Sequence, residues 1–278
     1  MVNNIEQVLA ASKKQLAGIS ESPLLDCQLM LGHILGKERE WFYIHGDEGL
    51  SEAHLLAFQK LLDRRTLGEP LAYLTGTRSF WNRDFQVTPA TLIPRPDTEL
   101  LIETILDQRD NAPCNVLDLG TGSGAIAITL AAERPDWRVT GVDFSAEALN
   151  TAITNGRDLS NIEWRQGNWC DGIASQSVDI IVSNPPYIAE TDPHLLDLEF
   201  EPRTALAAGS DGMDCFRDIV PASYYCLVPG GLLILEHGYD QQEAVMALLS
   251  TSGYADIKAL KDLTGNPRVV LATKPKAE

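Results

Sequence analysis

The first part of the chain alternates apolar and polar residues with the period of an α-helix. Apolar residues recur three and four positions apart in IEQVLAASKKQLAGI and in PLLDCQLMLGHILG, where Pro23 suits a first helical turn after Ser22. A third stretch, SEAHLLAFQKLLDRRTLG, begins at a serine that can cap a helix and ends at Gly68. These patterns predict a small helical domain at residues 1–77 that carries few residues of catalytic type.

The period changes at RSFWNRDFQVT. Two short aromatic runs flank Asn82, Arg83 and Asp84, which predicts a β-hairpin with these three polar residues at its tip. The Pro-rich stretch PATLIPRPDTE follows and leads into a predicted helix, DTELLIETILDQ. We therefore expect a connector at residues 78–95 between two domains.

From Asn115 onward, strand patterns alternate with helix patterns. The predicted strands are VLDLG, RVTGVD, IEWRQG, VDIIVSN, LLILEH, ADIKAL and RVVLAT, and the predicted helices are SGAIAITLAAERP, SAEALNTAITNGRDL, MDCFRDIVPASYYCLVPGG and QQEAVMALLSTSG. This alternation is typical of a doubly wound, mostly parallel α/β sheet that binds ligands at the carboxyl ends of its strands. The last two strands are close in sequence, so we expect an antiparallel pair at that end. Residues 96–278 are predicted to form this domain.

The charge of the chain bears on its partners. Its 278 residues include 22 Lys and Arg against 39 Asp and Glu, a formal net charge of −17. Such a charge repels a phosphate backbone unless basic residues cluster on one face, so nucleic acid is disfavoured. The five scattered cysteines form no C-x-x-C pair, so we expect neither a metal site nor a disulfide framework.

The start of the chain and its apolar runs bear on location. MVNNIEQVLAASKK lacks the basic and apolar regions of a signal peptide, and no apolar run approaches the length of a membrane span. We expect a cytoplasmic protein without membrane association.

A glycine-rich turn follows the first strand of the α/β domain. It consists of Gly120, Thr121, Gly122, Ser123 and Gly124. The glycines let the backbone turn tightly against a ligand, and the following helix supplies free N–H groups. The next strand ends in Asp143, whose carboxylate can accept hydrogen bonds from ribose hydroxyls. This pair suits a nicotinamide or flavin dinucleotide as well as S-adenosylmethionine.

Three details favour S-adenosylmethionine. The loop reads G-x-G-x-G, which is tighter than the dinucleotide fingerprint. Asp118 precedes the loop, and its acid suits the positively charged end of that cofactor. The strand IEWRQG is followed by Asn168 and Trp169, an amide and a ring suited to the edge and the face of adenine.

The apolar run VDIIV ends in Ser183 and then N-P-P-Y. Its prolines fix two φ angles and remove two backbone donors. A planar nitrogen is a poor methyl acceptor because its lone pair is delocalised, and acceptors placed on both of its N–H groups increase its electron density. The Asn184 side-chain oxygen and the Pro185 carbonyl can be these acceptors, held rigidly by the prolines.

The same segment gives the predicted substrate residues. Tyr187 can pack on the planar substrate group, so we predict Asn184, Pro185 and Tyr187 as catalytic. Substrate binding is predicted for these three residues and Pro186, and Asn184 is also expected to contact the cofactor.

The stretch AETDPHLLDLEFEPRTALAAGSDG separates this segment from the next helix. Loops of this length in compact domains are often lids or binding surfaces. Its acids, Glu199 and Glu201 among them, suit a basic patch on a partner. The alternative is a solvated loop with one local helical turn.

Four stretches resemble a known family. LIPRPDTE, DLGTGSGAIA, SNPPYI and FEPRTAL are similar to motifs of the release-factor glutamine methyltransferases (the PrmC or HemK family), and the similarity spans nearly the whole chain. N-P-P-Y alone is shared with adenine-amino DNA methyltransferases, so the flanking motifs carry the narrower identification. The resemblance implies a seven-stranded class I methyltransferase sheet, with the helical domain attached through the hairpin connector.

The resemblance also implies an activity. The enzyme would transfer a methyl group from S-adenosylmethionine to the side-chain amide nitrogen (N5) of the glutamine in the Gly-Gly-Gln motif of peptide chain release factors one and two, leaving S-adenosylhomocysteine. Cofactor binding would fall to Gly120 to Gly124, Asp143 and Trp169, and the helical domain would help to dock the release factor. Asn168 departs from the family pattern, in which we expect Asp before the Trp, and so does the hairpin tip.

Other functions remain open. The same pair of acceptors, Asn184 and Pro185, could serve to methylate a glutamine of a ribosomal protein. Adenine in DNA or a guanine amino group in RNA could also fit, although the charge of −17 and the lack of a Lys/Arg-rich stretch argue against both. The protein could also bind the cofactor as a scaffold without catalysis.

Overall fold

The computed structural model describes residues 4–276. The chain divides into two compact units, Met1–Thr77 and Arg78–Glu278.

The first unit is helical, as its periodicity predicts. It contains α1 (Ile5–Gln15), α2 (Pro23–Leu35), α3 (Glu52–Thr66) and α4 (Leu71–Thr75), with a 3₁₀ turn at Arg39–Tyr43. The predicted cap is present, because the Ser51 side chain accepts a hydrogen bond from the backbone N–H of His54 at 3.2 Å. A largely buried ion pair joins two helices, with Arg65 Nε donating to Asp26 Oδ2 at 2.8 Å.

The predicted hairpin is present, but its tip is shifted. Strands β1 (Thr77–Phe80) and β2 (Arg83–Gln86) form a two-stranded sheet. The turn consists of Trp81 and Asn82, so the prediction that placed Arg83 and Asp84 at the tip was wrong. Asp84 lies in β2 and accepts a hydrogen bond from Ser79 Oγ at 2.6 Å, which pairs it across the two strands.

Trp81 explains the shift. Its φ of 55° lies in the left-handed region that a large side chain rarely adopts. Its backbone N–H donates to Glu99 Oε1 and its indole N–H to Glu133 Oε1, each at 2.8 Å. Acceptors far along the chain therefore hold Trp81 in the turn, and the local sequence gave no sign of them.

The second unit contains the predicted alternation. Its helices are α5 (Glu99–Gln108), α6 (Ala125–Glu133), α7 (Ala146–Asn155), α8 (Asp214–Cys226) and α9 (Gln242–Thr251). Its strands are β3 (Asn115–Leu119), β4 (Arg138–Asp143), β5 (Ile162–Gln166), β6 (Val178–Ser183), β7 (Leu227–Glu236), β8 (Ala255–Lys261) and β9 (Pro267–Thr273). Short 3₁₀ turns lie at Pro96–Thr98, Pro193–Leu196 and Arg203–Ala205.

At one boundary, residues predicted as helix belong to a strand instead. The helix expected to run through LVPGG ends at Cys226, and the next five residues begin β7. Pro229 lacks the N–H that a helix needs, and Gly230 has a φ of 82°. The strand takes up this segment through a register shift against β6, between the pairs Val178–Leu227 and Ile180–Leu232.

The seven strands form one sheet in the order β5-β4-β3-β6-β7-β9-β8. The first five are parallel, and β9 is antiparallel to both β7 and β8. The predicted fold class and the predicted antiparallel pair are confirmed. Successive residues of β3 face opposite cores, with Val116 in the layer of α5 and α6 and Leu117 in the layer of α8 and α9.

The pairing register brings the carboxyl ends of four strands to one level. The partners at this level are Leu119 of β3, Val142 of β4, Ser183 of β6 and Leu235 of β7. Because the strands are parallel, the residues that follow lie side by side at one edge of the sheet. These residues are Gly120, Asp143, Asn184 and Glu236.

None of the helices among residues 4–276 is long and apolar enough to cross a membrane. In the same part of the chain, no group of three or more His, Cys, Asp or Glu side chains is placed to hold a metal ion.

Three glycines surround the Trp164 ring of β5. A Cβ atom at Gly124, Gly141 or Gly156 would lie 3.1, 2.6 or 2.8 Å from an atom of that ring. Contacts below 3.0 Å are not tolerated without movement, so Gly141 and Gly156 exclude larger residues there. This packing secures the junction of β4, β5 and the glycine-rich loop.

We expect Gly141→Ala to lower the free energy of unfolding by about 1–3 kcal/mol, because the added methyl group overpacks against the Trp164 ring. Urea denaturation of the apo protein measures the change. Gly167→Ala is the matched control in the same unit, since a Cβ there meets nothing closer than 3.8 Å. Equal destabilisation by the two substitutions would contradict the packing argument.

Candidate active site

A cavity of about 420 Å³ opens at the carboxyl edge of the sheet. It lies where the chain order reverses, because β4 and β5 follow β3 on one side while β6 and β7 lie on the other. The predicted cofactor residues that line it are Gly120, Thr121, Gly122, Ser123, Asp143, Trp169 and Asn184. Gly124 is not among the lining residues, and it packs behind the loop against Trp164.

The glycine-rich loop turns sharply from β3 into α6. Gly120, Gly122 and Gly124 have φ values of 71°, 57° and 84°, which side chains rarely adopt. A Cβ at Gly122 would meet nothing closer than the Gly120 carbonyl oxygen at 4.0 Å, so this part of the loop is open. The backbone can therefore approach a ligand closely at Gly122.

Asp118 lies beneath the loop and does not line the cavity. Its Oδ2 accepts hydrogen bonds from Thr121 Oγ1 at 2.6 Å and from the Ala127 N–H at 3.1 Å. Its Oδ1 is buried and has no hydrogen-bond partner among residues 4–276. Burial raises the pKa of this carboxyl to about 7. The expectation that Asp118 meets the charged end of the cofactor was wrong, because this side chain braces the loop from the protein side.

Asp143 is held by the backbone on both oxygens. Oδ2 accepts from the Gly122 N–H and Oδ1 from the Ser145 N–H, each at 2.9 Å. Burial raises the pKa of Asp143, although these bonds act in the opposite direction. Each carboxylate oxygen has a further lone pair, so Asp143 can still accept from ligand hydroxyls while it fixes the loop.

Trp169 lies against the first glycine of the loop. A Cβ at Gly120 would come within 3.5 Å of Trp169 Cζ3, and Trp169 itself has a φ of 47°. Asn168 beside it is exposed and also lines the cavity. The amide and the ring that the sequence singled out therefore reach the same cavity wall.

The N-P-P-Y segment lies between this cavity and a smaller one. The second cavity has a volume of about 80 Å³ and is lined by Asn184, Pro185 and Tyr187, while Pro186 lines the larger one. Asn184 lines both cavities. A group in the smaller cavity is thus next to one in the larger, which is the arrangement that a transfer reaction needs.

Asn184 is oriented by a bond behind it. Its Nδ2 donates to Thr98 Oγ1 at 3.0 Å. No donor among residues 4–276 bonds to its Oδ1 or to the Pro185 carbonyl. Two acceptors from adjacent residues are therefore available to a ligand.

Tyr187 is fixed by its neighbours. Its hydroxyl donates to Glu236 Oε1 at 3.3 Å, and its carbonyl accepts from Gln241 Nε2 at 2.9 Å. Its backbone N–H donates to the Leu206 carbonyl at 3.2 Å. Burial raises the pKa of Tyr187, so its hydroxyl stays protonated and acts as a donor.

Glu201 contradicts the interpretation of the long acidic stretch. It is 6% exposed, so the prediction that it meets a basic patch on a partner was wrong. Its Oε2 accepts from the Ile93 N–H at 3.0 Å, and its Oε1 accepts from Arg95 Nη2. This pair ties FEPRTAL to LIPRPDTE and holds two walls of the smaller cavity together, whereas Glu199 is exposed.

Sequence reasoning assigned no role to several site residues. Arg95 lines both cavities, and Phe144 and Cys215 line the larger one. Cys215 is half-buried. Thr98 and Glu236 were missed although Glu236 ends the run LLILE, and an acid at the carboxyl end of a parallel strand is a signal that could have found it.

Two protein families and a solved structure are similar to parts of this chain. The PrmC N-terminal domain family matches residues 7–76, and the methyltransferase small domain family matches residues 96–197. A methyltransferase structure from Pyrococcus furiosus has a TM-score of 0.54 at 19% identity, over 78% of this chain and 99% of that one, which shows the fold alone.

Closer relatives bear the name release factor glutamine methyltransferase. The protein of Salmonella typhimurium is 46% identical over 90% of this chain and 92% of its own length. The Coxiella burnetii protein is 39% identical over 98% of this chain and 99% of its own, and the Vibrio cholerae protein is 44% identical over 96% of both. At this identity and coverage, the chain belongs to the release factor glutamine methyltransferases, as its motifs predicted.

Proposed function

We propose that the protein transfers a methyl group from S-adenosylmethionine to the side-chain amide nitrogen (N5) of the glutamine in the Gly-Gly-Gln motif of peptide chain release factors one and two. The observation that carries the chemistry is the pair of unpaired acceptors, Asn184 Oδ1 and the Pro185 carbonyl, beside a nucleotide-sized cavity. The names of the curated relatives support the substrate.

The cavity suits the cofactor. Gly122 is open to close approach, Asp143 has lone pairs for ribose hydroxyls, and the Trp169 ring can contact adenine. When bound, S-adenosylmethionine supplies an electrophilic methyl group on sulfur, so that the new N–C bond forms as the C–S bond breaks. We assign its binding to Gly120 through Ser123, Asp143 and Trp169, with Gly124 acting through packing.

The chain's own residues prepare the amide. Asn184 Oδ1 and the Pro185 carbonyl accept the two N–H groups of the glutamine amide, which increases electron density on nitrogen and directs its lone pair. The acceptors are preorganised, because Pro185 and Pro186 restrict the backbone and Thr98 holds the Asn184 side chain. The nitrogen loses one proton to solvent after transfer, so no general base from the protein is required. Tyr187 forms part of the wall beside the amide.

Further assignments rest on the same proposal. The helical unit, residues 1–77, would dock the release factor, and residues 78–95 would connect it to the catalytic unit. The cytoplasmic location expected from the sequence stays a prediction. Release factors act in translation termination, which agrees with that location.

The decisive experiment offers methyl-labelled S-adenosylmethionine with release factor, with ribosomal protein and with duplex DNA. Label on the release factor, lost when its Gly-Gly-Gln glutamine is replaced, is the expected result. Label on DNA or ribosomal protein alone would contradict the substrate, and cofactor binding without any transfer would contradict the enzyme.

We expect Asn184→Ala to lower turnover by roughly 100- to 1,000-fold, the usual effect of removing one transition-state hydrogen bond. Cofactor affinity should change little, since Gly122 and Asp143 remain. Single-turnover labelling and calorimetry measure the two quantities. Asn150→Ala, at an exposed position, is the control, and a loss of cofactor binding with intact turnover would refute the role.

Asp143→Ala should produce the opposite pattern. Losing hydrogen bonds to a carboxylate weakens binding by about 10- to 100-fold, so the dissociation constant for S-adenosylmethionine rises. Turnover should recover in large part at saturating cofactor. Calorimetry tests this against Asp136→Ala at an exposed site, and unchanged affinity for the Asp143 variant would remove the residue from the cofactor site.

A further inference from the structure

A series of buried hydrogen bonds lies behind Asn184, one of the two proposed acceptors of the substrate amide. Asn184 Nδ2 donates to Thr98 Oγ1 at 3.0 Å, and Thr98 Oγ1 donates to Glu236 Oε2 at 2.8 Å. Tyr187 donates to the other carboxylate oxygen, Oε1, at 3.3 Å. Thr98 is 4% exposed and Glu236 is 1% exposed. Water therefore has little access to these hydrogen bonds and cannot readily replace a missing partner.

The direction of these bonds follows from the carboxylate. An ionised carboxylate can only accept, so Glu236 requires the Thr98 hydroxyl to donate its single proton to it. The lone pairs of Thr98 Oγ1 then remain for the N–H group of Asn184. A side-chain amide is nearly symmetric in shape, and its orientation is decided by the hydrogen bonds around it. In this surrounding, Nδ2 of Asn184 turns inward and Oδ1 turns toward the cavities.

That orientation decides what Asn184 can do. With Oδ1 outward, it accepts from a substrate N–H group. With Nδ2 outward, the N–H groups of Asn184 and of the substrate amide would face each other. The substrate nitrogen would then lose one of its two acceptors. We infer that Thr98 and Glu236 are positioning residues that set the direction of the Asn184 amide, so that the site accepts a glutamine amide and disfavours a carboxylate. This inference rests on the proposed function.

The protonation of Glu236 should control the same switch. Burial raises the pKa of Glu236 to about 7, against the opposing charge of Arg268, with Asp97 and the Tyr187 hydroxyl also facing it. His237 follows in the chain, and its pKa is lowered by burial, so it stays neutral near pH 7. Below about pH 7 the protonated carboxyl can donate to Thr98, whose hydroxyl is then free to donate to Asn184 Oδ1. Turnover should therefore fall as the pH is lowered through about 7.

The first test compares Thr98→Val with Thr98→Ser. Valine has nearly the same shape as threonine but removes both of its hydrogen bonds, to Asn184 and to Glu236. Of these two, the bond to Asn184 orients the amide, so turnover should fall roughly tenfold, as for one buried hydrogen bond. Serine retains the hydroxyl and should restore turnover toward the wild-type value. Thr154→Val is the matched control, because Thr154 is exposed and its hydroxyl donates to the Asn150 carbonyl of its own helix.

A second readout separates positioning from general damage. The competitor is a release factor in which the Gly-Gly-Gln glutamine is replaced by glutamate, whose carboxylate lacks the N–H groups that two acceptors prefer. In Thr98→Val the Asn184 amide can turn its Nδ2 outward, so the preference for the glutamine protein over the glutamate protein should shrink. A merely structural loss would weaken the binding of both proteins alike, and this result would overturn the inference.

Glu236→Gln provides an independent test of the inference if Thr98→Val does not fold. Its amide does not titrate, so the fall in turnover at low pH should disappear, while a retained fall would overturn the role of Glu236. Binding of S-adenosylmethionine and the unfolding midpoint are measured for every variant. If the wild-type protein labels no release factor, the proposed function fails and the inference with it. If the wild-type protein labels it and Thr98→Val is as active as Thr98→Ser, the inference alone fails.

Discussion

The common level at which four parallel strands end is the constraint on which the site depends. Hydrogen-bond register places the first residue beyond two strands, β3 and β6, and the last residue of two others, β4 and β7, along one edge of the sheet. Gly120, Asp143, Asn184 and Glu236 are brought together in this way. A shift of one residue in any strand would reverse the faces of its side chains and move its polar residue out of this row. The apolar layers on both faces make such shifts costly.

Buried carboxylates carry much of the organisation around that edge. Asp118, Asp143, Glu201 and Glu236 are each at most 7% exposed, although the chain is strongly acidic and most of its acids have access to water. Each accepts hydrogen bonds from groups that are distant in the chain or that belong to a loop. The desolvation of a buried charge is offset only by such bonds, so each carboxylate ties its donors firmly in place.

These carboxylates have different tasks in the two cavities. Asp118 and Asp143 shape the glycine-rich loop from below and from the side. Glu201 joins two segments that form walls of the smaller cavity, and Glu236 acts on Asn184 through Thr98. Side chains that never touch a ligand can thus determine which ligand fits, because they decide where the acceptors and donors of the cavity walls point.

Local patterns were sufficient for much of the protein. The spacing of apolar residues and the positions of turn and capping residues predicted the helical unit, the hairpin and every strand of the sheet. Each of these depends on neighbours within a few residues. The loop from Gly120 to Gly124, with Asp143 and N-P-P-Y, could be predicted as a site because strand ends gather at one edge of a doubly wound sheet. The family followed from the motifs that flank them.

Only the tertiary structure decided what lies between these elements. Trp81 in the hairpin turn, Glu201 in the cavity wall and Glu236 behind Asn184 all depend on partners distant in sequence, up to 138 residues away for the bond from Thr98 to Glu236. A single acid in a sequence carries no sign of whether it will meet water or a buried donor. The sequence by itself therefore determined the fold class, the family and part of the cavity lining, namely the glycine-rich loop, Asp143, Trp169 and the N-P-P-Y segment. Packing of distant segments decided which of their atoms are paired and which remain free for a ligand.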